Sequence, residues 1–227
     1  MFEIASSWKT AYPDAHAGIL VMRSVDNPPA CPELDRRRQV LEDELRARFI
    51  GQDRTALDAI PAVLAYNTYY KQFKKTYHIQ AQLESIAFKG RAIASVGALV
   101  TAMFMAEVKN LLLTAGHDLD TLHLPVTLGV AAGSECYTLL RGQEQLLKAG
   151  DMMMADRQGV ISSIVYGPDR RTQITAHTHS VLYAVYAPAG IPVQAVQTHL
   201  QDIRDYVRIV SPAAVVKELH VVGAQPE

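Results

Sequence analysis

Ile93-Ala-Ser-Val-Gly-Ala-Leu-Val-Thr-Ala-Met-Phe-Met-Ala106 is the longest charge-free apolar run of the chain. It leads through Glu107 into Leu111-Leu-Leu-Thr-Ala-Gly116-His117-Asp118-Leu-Asp120. Its 14 residues fall short of the ~20 that cross a bilayer, so it reads as a buried core helix, extended to about Leu113. On either side of it the texture differs. Upstream, helices are predicted over Glu33–Phe49, with Pro32 near the first turn and Gly51 beyond the end, over Ala62–Lys75 and over Ile79–Gly90. Downstream come short β-prone pieces at Val126–Ala131, Cys136–Leu140, Met152–Asp156, Val160–Tyr166 and Gln173–Tyr186, parted by turn signals such as Gly133-Ser134 and Gly167-Pro168-Asp169. A helix returns at Val193–Val207, and two strand-like pieces, Phe2–Trp8 and Ala15–Val25, open the chain. Helices early and strands late argue for an α+β fold over alternating βαβ units.

The chain reads as one domain over 1–227, helix-rich at 33–113 and strand-rich at 124–188, with a C-terminal helix at 193–207. Apolar residues make up 49% of it and charged residues 20%, enough to bury a sizeable core. The net charge of −1 gives no attracting field for nucleic acid as a whole. Locally, Lys71, Lys74, Lys75, Lys89 and Arg91 face a single acid, Glu84, so any RNA contact must use that face. Cys31 and Cys136 are too few for a disulfide framework, and Met1–Trp8 lacks the apolar core of a signal peptide. A cytoplasmic, reducing location without a membrane segment is the expectation.

Several chemistries lack their motif. No Gly-rich loop ends in Lys-Ser or Lys-Thr, and no serine sits in a Gly-x-Ser-x-Gly elbow. Cys31 and Cys136 each stand without a neighbouring base and read as small hydrophobes. His177 and His179, two apart in a predicted strand, share a face at roughly 7 Å. That is the beginning of a metal site, but Ser180–Pro188 supplies no acid or histidine as a third ligand, so no metal and no cofactor are expected.

Two segments invite a functional reading beside a structural one. Gly116-His117-Asp118 looks like a turn aiming polar groups after the apolar helix; structurally, Gly116 is a helix C-cap and Asp118 caps the next element. Glu107 and Asn110, spaced i and i+3, share a helix face and become candidates for a pocket edge beside His117. Tyr66-Asn-Thr-Tyr69-Tyr70-Lys71-Gln-Phe73-Lys74-Lys75-Thr-Tyr77 interleaves lysines with aromatics. It reads either as a face for phosphates and stacked bases or as an amphipathic helix with a buried aromatic side.

The order of motifs from Ala65 to Pro188 resembles the tRNA-binding and editing module of the phenylalanyl-tRNA synthetase beta subunit, its adjacent third and fourth domains, and the freestanding proteins that carry only this module. His117-Asp118-Leu-Asp-Thr-Leu is similar to the family's aromatic-Asp-Leu-Asp-Lys-Leu. Gly133-Ser-Glu135 followed by Leu139-Leu-Arg-Gly142-Gln-Glu144 resembles its Gly-Glu and Leu-Asp-Gly-x-Glu. Leu147-Lys-Ala-Gly150-Asp151-Met-Met-Met-Ala-Asp156 resembles Leu-x-x-Gly-Asp-Leu-Val-Ile-Ala-Asp, and Gly159–Gly167 parallels the strand and glycine turn that close the family's site. Tyr70-Lys71-Gln-Phe73 resembles the Tyr-Arg-Lys-Phe of freestanding members. Two positions depart: Ala115 stands where synthetase members place a histidine, and Pro168-Asp169 where a glutamate recognises the tyrosine hydroxyl. Either substrate choice has moved, or His117 and Asp169 take the neighbouring roles.

The resemblance implies a two-sheet β core with helices packed at the side, and a tRNA-binding protein that hydrolyses the ester of mischarged aminoacyl-tRNA. The alternative is a module that binds tRNA or an amino acid without catalysis. An aminoacyl ester is already activated, so its hydrolysis needs a placed water, oxyanion donors and a side-chain pocket, and no covalent nucleophile. On this reading His117 positions the water, Asp118 orients it, and Asp169 binds the amino group. Glu107, Asn110 and Thr178 contribute substrate contacts. Lys71, Lys74, Lys75, Lys89 and Arg91 meet RNA; no DNA partner is implied.

Overall fold

The computed structural model describes residues 2–223. In chain order the first half runs β1 (Phe2–Ile4), α1 (Ser6–Ala11), β2 (His16–Arg23), α2 (Pro32–Arg48), α3 (Arg54–Asp58), α4 (Pro61–Gln72), α5 (His78–Ala87) and α6 (Ala98–Asn110). The second half runs β3 (Leu113–Asp118), β4 (Val126–Val130), β5 (Cys136–Thr138), β6 (Glu144–Leu146), β7 (Met152–Asp156), β8 (Gly159–Ser163) and β9 (Gly167–Pro168). It closes with β10 (Ser180–Ala187), α7 (Val193–Val210) and β11 (Val215–Gly223). The architecture is α+β, with two main sheets and a small β5–β6 hairpin.

One sheet has the order β1-β4-β7-β8-β9, the other β11-β2-β10-β3. Strand β10 pairs antiparallel with both β2 and β3, and all eight of its residues are buried. A strand hidden on both faces must be apolar throughout, which explains Val181-Leu-Tyr-Ala-Val-Tyr-Ala187. On one face α6 and α7 cover the sheet. Helix α7 lies so close to β2 that a Cβ at Gly18 would come within 2.6 Å of Val196 Cγ1, so only glycine fits there. On the other face the two sheets meet, joined by a 2.7 Å hydrogen bond between Ser162 Oγ of β8 and the Tyr186 hydroxyl of β10.

Local chemistry sets the helix ends. Pro32 and Pro61 occupy first-turn positions of α2 and α4, where no backbone donor is needed. Glu33 and Asp35 open α2 and Arg46 and Arg48 close it, each complementing the helix dipole. The helix α6 stops at Leu111, which adopts a left-handed φ of 58° while its N–H still bonds the Glu107 carbonyl at 2.7 Å.

That stop corrects the expectation at the centre of the chain. The apolar run does not stay helical to Leu113, and Gly116 is neither cap nor turn: Leu113–Asp118 is a fully buried strand. Gly116 sits mid-strand because a Cβ would meet Ile174 Cδ1 at 2.9 Å and Met103 Sδ at 3.2 Å. Asp118 does cap the 3-10 turn Leu119–Thr121, accepting the Asp120 N–H at 3.1 Å. Three further expectations are corrected. Phe2–Trp8 is a strand only to Ile4, and Trp8 is buried on α1. The strand drawn from Gln173 begins at Ser180, leaving His177 and His179 in a loop and not on one strand face. The elements α3, β6, β9 and β11 are additional to those read from the sequence. Among the described residues no helix is long and apolar enough to cross a membrane, and no three His, Cys, Asp or Glu groups converge as a metal site.

Candidate functional site

Strand β3 carries polar groups on both faces, and the two faces differ in access. Facing the second sheet, His117 is fully buried and held at both ring nitrogens: Nδ1 lies 2.7 Å from Thr172 Oγ1, and Nε2 lies 3.3 Å from Ser162 Oγ. Thr172 spends its hydroxyl proton on Asp169, so it must accept from His117 Nδ1–H; Nε2 is then the acceptor for Ser162. A directed chain Tyr186 → Ser162 → His117 → Thr172 → Asp169 results. Burial, with the Arg171 charge adding to it, pushes the His117 imidazole down to about 3, so it is neutral. Burial also raises the Asp169 carboxyl, against its bonds from Thr172 and the nearby Arg171. Arg171 itself grips Asp156 with two bonds of 2.8 and 3.0 Å.

Facing the helices, β3 backs a cleft of about 540 Å³ between α6 and the loop Gln173–Ala176. Met103, Phe104, Val100 and Ile174 make most of its wall, with Gly167 and Pro168 of β9 at one side. Val96 and Leu140, both well exposed, stand at its mouth. Glu107 is the one carboxylate in the lining. It is 2% exposed, and its Oε1 accepts the Thr114 N–H at 2.8 Å. Burial pushes its carboxyl up to about 8, only partly offset by that bond, so it is mostly protonated at neutral pH. Behind it, Thr114 Oγ1 lies 2.7 Å from Nε2 of the fully buried His199, whose Nδ1 lies 3.3 Å from Asn110 Nδ2. Asn110 and Lys109 both bond Asp202, at 2.8 and 2.6 Å.

The residues singled out in the sequence therefore fall into separate groups. His117 and Asp169 do meet, through Thr172, but inside the protein and away from the cleft. Asp118 meets Thr178, whose hydroxyl donates to it at 2.6 Å. Glu107 lines the cleft on the opposite face of β3, and Asn110 turns to α7. One concave site containing all of them, with His117 at the end of the helix, is not what the structure shows. His117, Asp118, Thr172 and Thr178 instead pin the ends of the loop that walls the cleft, helped by Asn27 Nδ2 bonding the Thr175 carbonyl at 2.9 Å.

The lysine–aromatic segment is resolved similarly. Tyr66, Tyr69, Tyr70, Phe73 and Tyr77 are buried, stacking on one another, so none offers a face to a base. Lys71, Lys74 and Lys75 are exposed, as are Lys89 and Arg91. Lys75 Nζ sits 5.3 Å over the ring of Tyr166, the residue preceding the cleft-lining Gly167. Lys75 is thus one residue removed from the cleft lining. Sequence reading missed Met103, Phe104 and Ile174 as site residues because apolar side chains in an apolar run carry no mark of lining a cavity.

No protein-family profile matches the sequence, and no curated protein matches it. Among solved structures, the chain is similar to an N-terminal fragment of the phenylalanyl-tRNA synthetase beta subunit from Pyrococcus horikoshii, with a TM-score of 0.49 and 11% identity. The likeness covers 96% of this chain and 54% of that one, so the chain spans about half of that fragment.

Proposed function

We propose that this protein binds the aminoacyl end of tRNA, seating an amino-acid side chain in the α6 cleft while Lys71, Lys74 and Lys75 meet backbone phosphates. The observation that carries the reading is contiguity: an apolar cleft with a single buried carboxyl opens beside a lysine-bearing edge, linked through Tyr166 and Gly167. The cleft supplies apolar burial, Glu107 one directional polar contact, and the lysines a sequence-independent attraction for phosphate. The motif order from Ala65 to Pro188 supports the same ligand.

Recognition without catalysis is favoured over hydrolysis at His117, because a neutral imidazole enclosed on both nitrogens cannot reach a substrate water. A deacylase reading survives in a different form. Glu107 reaches the cleft, and in its ionised form it is a general base that accepts the proton of a water as that water attacks the ester. In that form His117, Asp118, Asp169 and Thr178 are positioning residues for the loop wall, and Asn110 for the α6–α7 contact behind Glu107.

The test is binding of charged, uncharged and mischarged tRNA, with release of the amino acid followed in the same samples. Tighter binding of charged tRNA that is lost in Glu107→Leu supports the reading. Turnover that disappears in the same variant makes the protein a hydrolase. Equal affinity for charged and uncharged tRNA would sink the proposal.

A further inference from the structure

A second cleft of about 340 Å³ lies between α5 and α6 and shares two walls with the first, His78 and Phe104. The irregular segment between these helices borders both: Arg91–Ala94 line the second cleft, Val96 and Gly97 the first. The two are lobes of one groove, parted by the Phe104 ring and the His78 imidazole. Their chemistry differs. The first lobe has a carboxyl at its base. The second has Gln82 and Ser85 on the α5 wall, Arg91 in the segment that follows α5, and no carboxylate in its lining.

The side chain of Arg91 is exposed, and among the described residues its guanidinium has no ion-pair or hydrogen-bond partner. Its backbone, by contrast, is fixed. Arg91 N–H bonds the Ser85 carbonyl at 3.0 Å, and its own carbonyl accepts Arg46 Nη2 at 3.3 Å. Two residues on, Ile93 N–H donates to Glu42 Oε1 and Ile93 O accepts Arg38 Nη1, both at 2.9 Å. The nearby acid, Glu42, is consumed by that bond and by Arg38 and Arg46. A cation without a counter-ion is thus held on a pinned backbone at the rim of a largely apolar pocket whose neutral polar side chains include Gln82 and Ser85. A guanidinium so placed matches the oxygens of a phosphate in a bidentate fashion.

We infer that the second lobe is a phosphate subsite in which Arg91 receives the 5′-phosphate of a nucleotide whose 3′-linked acyl group occupies the Glu107 lobe. Gln82 and Ser85 are within the same pocket as further donors, and the Phe104–His78 septum flanks the nucleoside. The inference rests on the aminoacyl reading of the first lobe and adds the terminal nucleotide to the ligand. It separates Arg91, which lines the second lobe, from Lys71, Lys74 and Lys75, which line neither.

Non-hydrolysable 3′-aminoacylamino-adenosines with leucyl, phenylalanyl or tyrosyl groups, each with and without a 5′-phosphate, test it by calorimetric titration of the full chain. The phosphate should raise wild-type affinity about tenfold, the worth of a charged hydrogen bond, and more at low salt. Arg91→Gln should abolish that increment and leave the unphosphorylated compounds unaffected, and Arg91→Lys should retain part of it. Binding of both forms with equal affinity, or an increment that persists in Arg91→Gln, overturns the subsite while leaving the first-lobe reading standing. Failure of every analogue to bind the wild type overturns both.

Discussion

The two faces of β3 hold buried polar groups of similar depth and opposite disposition. Toward the second sheet, His117 is part of a closed chain from Tyr186 to Asp169 in which each donor has an acceptor. Toward the helices, Glu107 has one oxygen bonded to Thr114 and a cavity beside it. Burial is the largest cause that perturbs both groups, the imidazole to about 3 and the carboxyl to about 8. A perturbed group therefore does not by itself mark a site. The two differ in whether the protein has already spent the hydrogen-bonding capacity of the group. His117 has both ring nitrogens bonded within the protein, whereas Glu107 lines a cavity.

The strongest way to break this contrast is His117→Ala. It leaves Thr172 and Ser162 without their buried partner and opens a void, which should cost about 3 kcal/mol. At this chain length that lowers the melting temperature by roughly 6–12 °C, readable by circular dichroism, while tRNA binding by the folded protein at low temperature is retained. A variant as stable as wild type but unable to bind would exchange the roles of the two faces.

A second test uses pH, because the buried carboxyl and the buried imidazoles respond with opposite sign. The raised Glu107 carboxyl is protonated in the folded chain and ionised in the unfolded chain between 4.5 and about 8. Its contribution is present below 4.5 and is lost as pH rises through 8. His117 and His199, lowered from 6.5 to about 3, favour the folded state above 6.5, and that benefit is lost as pH falls toward 3. In urea titrations from pH 5 to 8.5, Glu107→Gln should recover about 2 kcal/mol of the alkaline loss, less than the full shift because water in the cleft screens the ion. The acid limb should be unchanged. An alkaline limb identical in the two proteins would show that Glu107 ionises freely.

The contrast sharpens if it extends outward, since only the Glu107 face opens beside a basic edge. Replacing Lys71, Lys74 and Lys75 with glutamate should weaken tRNA binding about tenfold and reduce the slope of log K against log salt by about two. The urea midpoint should stay where it is. An unaltered slope would make that helix a solvated face and no more. The smallest effect belongs to the mouth: Val96→Ala or Leu140→Ala should weaken an apolar aminoacyl group by about two- to fivefold, in line with the little surface each covers. Unchanged affinity in both would place the side chain deeper, against Met103 and Ile174.

The fold was more legible than the site. Met152–Asp156 is seen as a β-prone piece between turn signals, and Val193 onward from its steps of three and four. The α6–β3 junction was hidden because Leu111-Leu-Leu-Thr-Ala continues the apolar run across a change of structure. The break is made by a left-handed leucine, which no residue preference announces. Val215–Gly223 is an edge strand of mixed polarity and carries a weak pattern. At the site, the sequence marked His117, Asp118 and Asp169 as polar groups near a glycine, and they do converge around one loop. It had no means of telling which face of β3 is open, since that depends on where Ile174 and Met103 pack against Gly116.

The position of β10 bears on how the chain is made. Strand β2 emerges early, yet its inner neighbour pairs Leu20 with Tyr183, and its outer neighbour lies later still. At ~5–20 residues per second, synthesis leaves that apolar strand without a partner for roughly 10–30 s. Neither β2 nor β3 has its sheet until Ser180–Ala187 is released, so a chain arrested between Asp118 and that point carries two apolar strands without their shared neighbour. Ribosome-bound intermediates of this protein should accordingly be clients for holding chaperones until its last fifth is out.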